Sequence, residues 1–162
     1  GGLAHMPALE VDLHGPGLRI CIIVARWNMF VTQRLLEGAK ATLAERGVAP
    51  EDITIAWVPG SFELPTAAGW AARSGRFDAV ICLGAVIRGE TSHYDLVAGE
   101  AAAGIADLGR ETGVPVVFGV LTTENAEQAL ARAGGEHGHK GEEAALTAIE
   151  MARLRPLIER GD

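Results

Sequence analysis

Gly84-Ala85-Val86-Ile87-Arg88-Gly89-Glu90-Thr91-Ser92-His93-Tyr94-Asp95 runs from an apolar strand through a polar, glycine-containing turn into a helix. Strand, turn and helix in that order form the unit of a parallel α/β sheet. The turn sets backbone N–H donors, a histidine and carboxylates where sheet meets helix. Ser92 and Asp95 have the spacing of a capping box, so the helix is expected to begin at about His93. The N–H groups near Gly89, Glu90 and Thr91 would then face outward beside the positive end of the helix dipole, which suits a phosphate. At His93 the dipole favours neutral imidazole, whereas Glu90 and Asp95 favour imidazolium, so the sign of any shift stays open. The plainer alternative is a capped helix with a surface histidine.

Working outward, the same unit recurs. Residues 18–25 read as a buried strand, and 29–46 as a helix with apolar Leu35, Leu36, Ala39 and Leu43, stopped by Gly47 and Pro50. Strands at 53–58, 79–87 and 116–121 are followed by helices at 64–74, 92–111 and 123–132, and a last helix covers 140–159. Alternation of this kind implies a parallel sheet covered on both faces, with right-handed crossovers. Residues 1–17 are expected to form an N-terminal extension with a short strand at 8–13, and 18–162 a single α/β domain.

With 162 residues, the chain is long enough to bury a real core. A net charge of -7 and no basic stripe exclude nucleic acid as the main partner. No apolar run reaches membrane-spanning length, and the first residues lack a basic, apolar and cleavage-site pattern, so a cytoplasmic protein without membrane association is expected. Cys21 and Cys82 sit in apolar strands and read as reduced, structural thiols.

In a parallel sheet, ligands bind beyond the carboxyl ends of the strands. Each unusual segment falls there: Arg26-Trp27-Asn28, Pro59-Gly60-Ser61-Phe62-Glu63-Leu64-Pro65, the turn at 88–93, and Thr122-Thr123-Glu124-Asn125. No Gly-x-Gly-x-x-Gly or P-loop follows the first strand, which disfavours dinucleotides and nucleotide triphosphates. A receiver aspartate is missing too, since Gly84 and Ala85 stand where it would be.

Trp27 could offer a flat face to a heteroaromatic ring, worth about 1 kcal/mol beyond area burial, or pack on its own helix. Gly60 fits a tight turn that leaves the N–H groups of Ser61 and Phe62 for ring carbonyls. Glu63, an acceptor when ionised, suits polyol hydroxyls or simply the first turn of a helix. Arg132 could clamp a phosphate or complement a helix C-terminus. Lys140 opens a helix whose dipole opposes it and needs Glu143 or an anionic ligand. His137 and His139, without further ligands nearby, read as a solvated loop rather than a metal site.

Together these segments, with residues 83–95, Phe118-Gly119-Val120-Leu121-Thr122-Thr123-Glu124-Asn125, residues 128–134 and Lys140-Gly141, resemble the 6,7-dimethyl-8-ribityllumazine synthase family over nearly all of 18–151. The resemblance implies a three-layer sandwich with a four-stranded parallel sheet in flavodoxin-like order. It implies condensation of 5-amino-6-(D-ribitylamino)uracil with 3,4-dihydroxy-2-butanone 4-phosphate, a step of riboflavin biosynthesis that releases water and inorganic phosphate. No metal or redox cofactor is expected.

Carried over by residue, Trp27 stacks on the pyrimidine with Asn28 beside it, and Ser61, Phe62 and Glu63 hold the ring edge and ribityl chain. Ala85, Val86 and Ile87 line the ring pocket. Glu90 and Thr91 lie by the phosphorylated substrate, Arg132 and Lys140 serve its phosphate, and His93 moves protons. Phe118 comes from a neighbouring subunit of a pentamer, and the resemblance extends to a shell of twelve pentamers. Two departures stand out: Trp27 where Phe is often found, and His139 where Asn often precedes the lysine. A competing reading is a lumazine- or flavin-binding assembly scaffold with little turnover; the joint presence of His93, Arg132 and Lys140 favours the enzyme. A generic flavodoxin-like nucleotide binder would lack its phosphate loop.

Overall fold

The computed structural model describes residues 4–90 and 92–161, the side chain of Glu90 excepted. Its elements run β1 (Ile20–Ala25), α1 (Met29–Glu45), β2 (Ile53–Val58), α2 (Leu64–Arg73), β3 (Ala79–Ile87), α3 (Tyr94–Thr112), β4 (Val116–Thr123), α4 (Ala126–Ala131), β5 (Ala133–Gly135), β6 (Gly138–His139) and α5 (Lys140–Arg160). Among the described residues the main sheet has four strands in the order β2-β1-β3-β4, all parallel. This is the expected α/β class and strand order.

β1 and β3 are buried along their whole lengths, as their unbroken apolar sequences require of strands covered on both sides. Alternate residues serve opposite layers. Ile20, Ile22, Val24, Ile81 and Leu83 pack with Leu35 and Leu43 of α1 and Ile149 of α5. Cys21, Ile23, Val80 and Cys82 pack with Leu64 and Ala68 of α2 and Ile105 of α3. Each fully buried Leu or Ile contributes about 1.5–3 kcal/mol.

The turn before α3 departs from the sequence reading. The N-cap is His93, with no side-chain cap bond, and the helix starts at Tyr94. Ser92–Asp95 therefore forms no capping box; Asp95 instead meets Arg88 at 3.4 Å. Nor is the Gly89 N–H free for a ligand, because it donates to the Glu124 carbonyl at 3.3 Å. Residues 8–13, expected to be strand, pair with no strand of their own chain. An extended segment becomes strand only against a free edge. The stretch around His137 and His139, read as a solvated loop, contains an antiparallel hairpin in which β5 pairs with β6.

Cys21 and Cys82 are free and buried. Burial pushes the Cys21 thiol from 9.0 up to about 11, with Arg76 opposing. Burial and then Cys21 push Cys82 up as well. A raised folded value means the native state keeps protons that the unfolded state releases, so stability is full below pH 9.0 and falls as pH rises through about 11. Denaturation midpoints should decline above pH 9, and the Cys21→Ala/Cys82→Ala double variant should show a shallower decline.

Candidate active site

The loops after β1, β2 and β3 enclose a hollow of about 270 Å³ lined by Trp27, Asn28, Gly60, Ser61, Phe62, Ala85, Val86, Ile87 and Val97. Backbone bonds continue the β1–β2 pairing beyond the strands: Arg26 N–H donates to Val58 O at 2.8 Å and Trp27 N–H to Pro59 O at 3.0 Å. Asn28 then turns the chain with φ 65, a left-handed conformation that Asn tolerates better than most side chains. Its Nδ2 donates to the Ala85 carbonyl at 2.9 Å. The residue beside Trp27 is thus tied to the end of β3.

Trp27 remains 66% exposed and Phe62 53%, while Ala85, Val86 and Ile87 form a buried apolar floor. Two uncovered aromatic rings over such a floor suit a flat heteroaromatic ligand. The Ser61 and Phe62 N–H groups open a short 3₁₀ turn at Ser61–Glu63 and make no hydrogen bond among the described residues. The Ser61 hydroxyl is buried without a partner among them; a Cβ on Gly84 would lie 2.5 Å from it. Glu63 Oε1 accepts from Gly60 N–H at 3.0 Å. One carboxylate oxygen therefore holds the turn, and the other retains acceptor capacity.

A second hollow, about 430 Å³, is lined by Phe118, Val120, Leu121, Thr122, Thr123, Arg132, His137, Lys140 and Glu143. Arg132 caps α4 and gives one donor to Gln128 O at 3.1 Å, the ordinary role of a cation at a helix end. The β5–β6 hairpin returns the chain so that Lys140 N–H donates to Arg132 O at 2.9 Å. Although Glu143 shares this hollow, Lys140 forms no ion pair among the described residues. A cation at a helix N-terminus without a carboxylate partner is suited to an anion arriving from outside.

His93 is exposed and lies one helical turn before Val97, whose N–H donates to His93 O at 2.9 Å. Val97 lines the first hollow, whereas His93 is not among the described residues lining it. Its loop is braced by Arg88, whose Nε meets Glu124 at 3.1 Å and whose guanidinium stacks 4.3 Å from the Tyr94 ring centre. Thr91 and the Glu90 side chain, both expected to contact substrate, lie outside the described residues. Sequence reasoning missed Val97, legible only as the i+4 neighbour of His93, and His137, which it assigned to solvent. It missed Arg88 as well, whose partners are 7 and 36 residues away.

The structure therefore gathers Trp27, Asn28, Ser61, Phe62, Ala85, Val86 and Ile87 in one hollow and Phe118, Arg132 and Lys140 in another. No described residue lines both. The family model for 6,7-dimethyl-8-ribityllumazine synthase matches residues 17–156, from before β1 to near the end of α5. The chain belongs to that family. It is an enzyme of riboflavin biosynthesis that condenses the ribitylaminouracil with the butanone phosphate to 6,7-dimethyl-8-ribityllumazine. The scaffold reading is not favoured.

Asn28 offers a direct check on how the ring hollow is held. Asn28→Gly removes the side-chain hydrogen bond to the Ala85 carbonyl but keeps the left-handed backbone accessible, at a cost of about 1 kcal/mol. Asn28→Ala should cost roughly 1 kcal/mol more, because it adds left-handed strain. Urea denaturation of the two variants should rank them in that order.

Proposed function

We propose that each active site is completed between two chains, with the ring hollow of one subunit facing the cationic hollow of the next. The observation carrying this reading is the division of the required chemistry between two hollows of a single chain. Trp27 and Phe62 hold the pyrimidine over Ala85, Val86 and Ile87. The N–H groups of Ser61 and Phe62 meet its carbonyls, Glu63 accepts from the ribityl hydroxyls, and Asn28 keeps Trp27 in position. Phe118 of the neighbour covers the ring, while Arg132 and Lys140 take the phosphate with Glu90 and Thr91 nearby.

In this site the 5-amino group attacks the ketone carbon and water leaves to form an imine. A proton then leaves carbon as the C–O bond to phosphate breaks, releasing inorganic phosphate. The resulting enol tautomerises to a ketone, which the ribitylamino nitrogen attacks with loss of a second water to close the ring. Each step couples a proton transfer to bond making or breaking between partners held side by side, so positioning supplies much of the acceleration. His93, one helical turn before Val97 of the ring hollow, carries the protons.

Association is supported by surface that one chain leaves uncovered. β2 and β4 are open sheet edges among the described residues. Trp70 is 73% exposed and Ile158 66%. A hollow of about 730 Å³ along α3, β4 and α5 presents Val116, Phe118, Met151 and Leu154. Patches of this kind favour closed symmetric assembly. We extend the reading to a pentamer, to twelve pentamers forming a shell, and to a cytoplasmic location; among the described residues no helix is long and apolar enough to cross a membrane.

His93→Ala should slow turnover about 10²–10⁴-fold without abolishing it, followed by lumazine absorbance; complete loss in a folded, assembled variant would contradict the role given to His93. Coexpressing Trp27→Ala with Arg132→Gln should restore activity at about a quarter of the seams, since that fraction pairs two intact halves in a random closed ring. No recovery above the separate variants would show that the halves belong to one chain. Light scattering giving the mass of one chain would reject the assembly.

A further inference from the structure

Arg132 and Lys140 stand at the two ends of a short hairpin, and the imidazole of His139 packs from that hairpin against Gly38 of α1. We propose that His139 is the positioning residue that locks Arg132 and Lys140 against α1, and thereby sets the enzyme's affinity for its phosphorylated ketone. The inference rests on the assignment of those two cations to the phosphate.

His139 is the N-cap of α5. Its Nδ1 accepts from Gly141 N–H at 3.1 Å and from Glu142 N–H at 3.3 Å, satisfying two of the donors that every helix start leaves open. That use assigns the ring proton to Nε2, because only a lone pair on Nδ1 can accept. A cap is ordinarily supplied by Ser, Thr, Asp or Asn, each too small to fill space beyond the helix end.

The imidazole fills that space. A Cβ on Gly38 of α1 would overlap the ring, and one on Gly134 would come within 3.1 Å of Cδ2. A Cβ on Gly141 would overlap the Leu35 carbonyl, so the first turn of α5 lies directly on α1. The backbone completes the lock: Ala133 pairs with His139 across the hairpin, and the next residue donates to the Arg132 carbonyl. One ring therefore joins α1, the strand leaving Arg132 and the turn carrying Lys140. Its loss would free the first turn of α5 and release both cations together, while the ring hollow, built on the loops after β1, β2 and β3, would be untouched.

The test is steady-state kinetics on the assembled enzyme with both substrates, with inorganic phosphate as a competing probe. His139→Ala should raise KM for the butanone phosphate and weaken phosphate inhibition, each by roughly 2- to 30-fold, the range of a lost helix cap. KM for the ribitylaminouracil should change by less than about twofold, and His139→Asn, which keeps the cap acceptor but leaves the slot beside Gly38 empty, should recover only part of the lost phosphate affinity. An equal rise in both KM values, or unaltered phosphate inhibition in His139→Ala, would overturn the proposal. Should His139→Ala fail to assemble, weakened phosphate inhibition in both His139→Asn, which loses the ring, and His139→Phe, which loses the cap, with KM for the ribitylaminouracil unchanged, would support it, and wild-type inhibition in either would overturn it. Arg132→Gln separates the two levels: if it leaves phosphate inhibition unchanged, the assignment of the phosphate site itself fails, whatever His139 does.

Discussion

Nine consecutive buried residues make β3 the strand on which everything else depends. A strand with Val80 and Cys82 facing one layer and Ile81 and Leu83 facing the other must be covered on both sides. Helices must then cross over between parallel strands, and parallel strands all end on the same side of the sheet. The loops after β1, β2 and β3 converge there as a consequence of burial. Ala85, Val86 and Ile87 are at once the end of the core and the floor of the ring hollow.

Convergence alone leaves loops mobile, and specific polar contacts remove that freedom. Asn28 ties the Trp27 loop to Ala85 across 57 residues of sequence. Glu63 holds the turn that presents the Ser61 and Phe62 N–H groups. Arg88 links the β3–α3 turn to Glu124 beyond β4, and His139 links the cationic hairpin to α1. These contacts are individually modest, about 1 kcal/mol each. Their value lies in holding reactive geometry in register, which matters most in a reaction carried by positioning.

The separation of the two hollows gives the proposed assembly a chemical purpose. One chain carries its aromatic platform in one hollow and its cations in another. If the seam we propose brings them together between copies, catalysis becomes contingent on association, which the apolar surface along α3, β4 and α5 favours.

Much of this was legible in the amino-acid order. Apolar runs at 18–25, broken only by Arg19, and at 79–87 read as central strands, helices at 29–46 and 140–159 marked the outer layers, Trp27 and Pro59-Gly60-Ser61 stood out at the strand ends where ligands bind, and Arg132 near the end of its helix. Chain order alone did not settle which donors were already spent. Ser92 and Asp95 had the spacing of a cap, yet Arg88 drew Asp95 away; Gly89 offered an N–H that Glu124 took; His139 looked like a solvated loop until Gly38, more than a hundred positions earlier, supplied the slot for its ring. Periodicity is a local property, and sequence carries it completely. Hydrogen-bond partnership depends on which distant groups come within 3 Å, and that is decided only when the sheet and its two layers close.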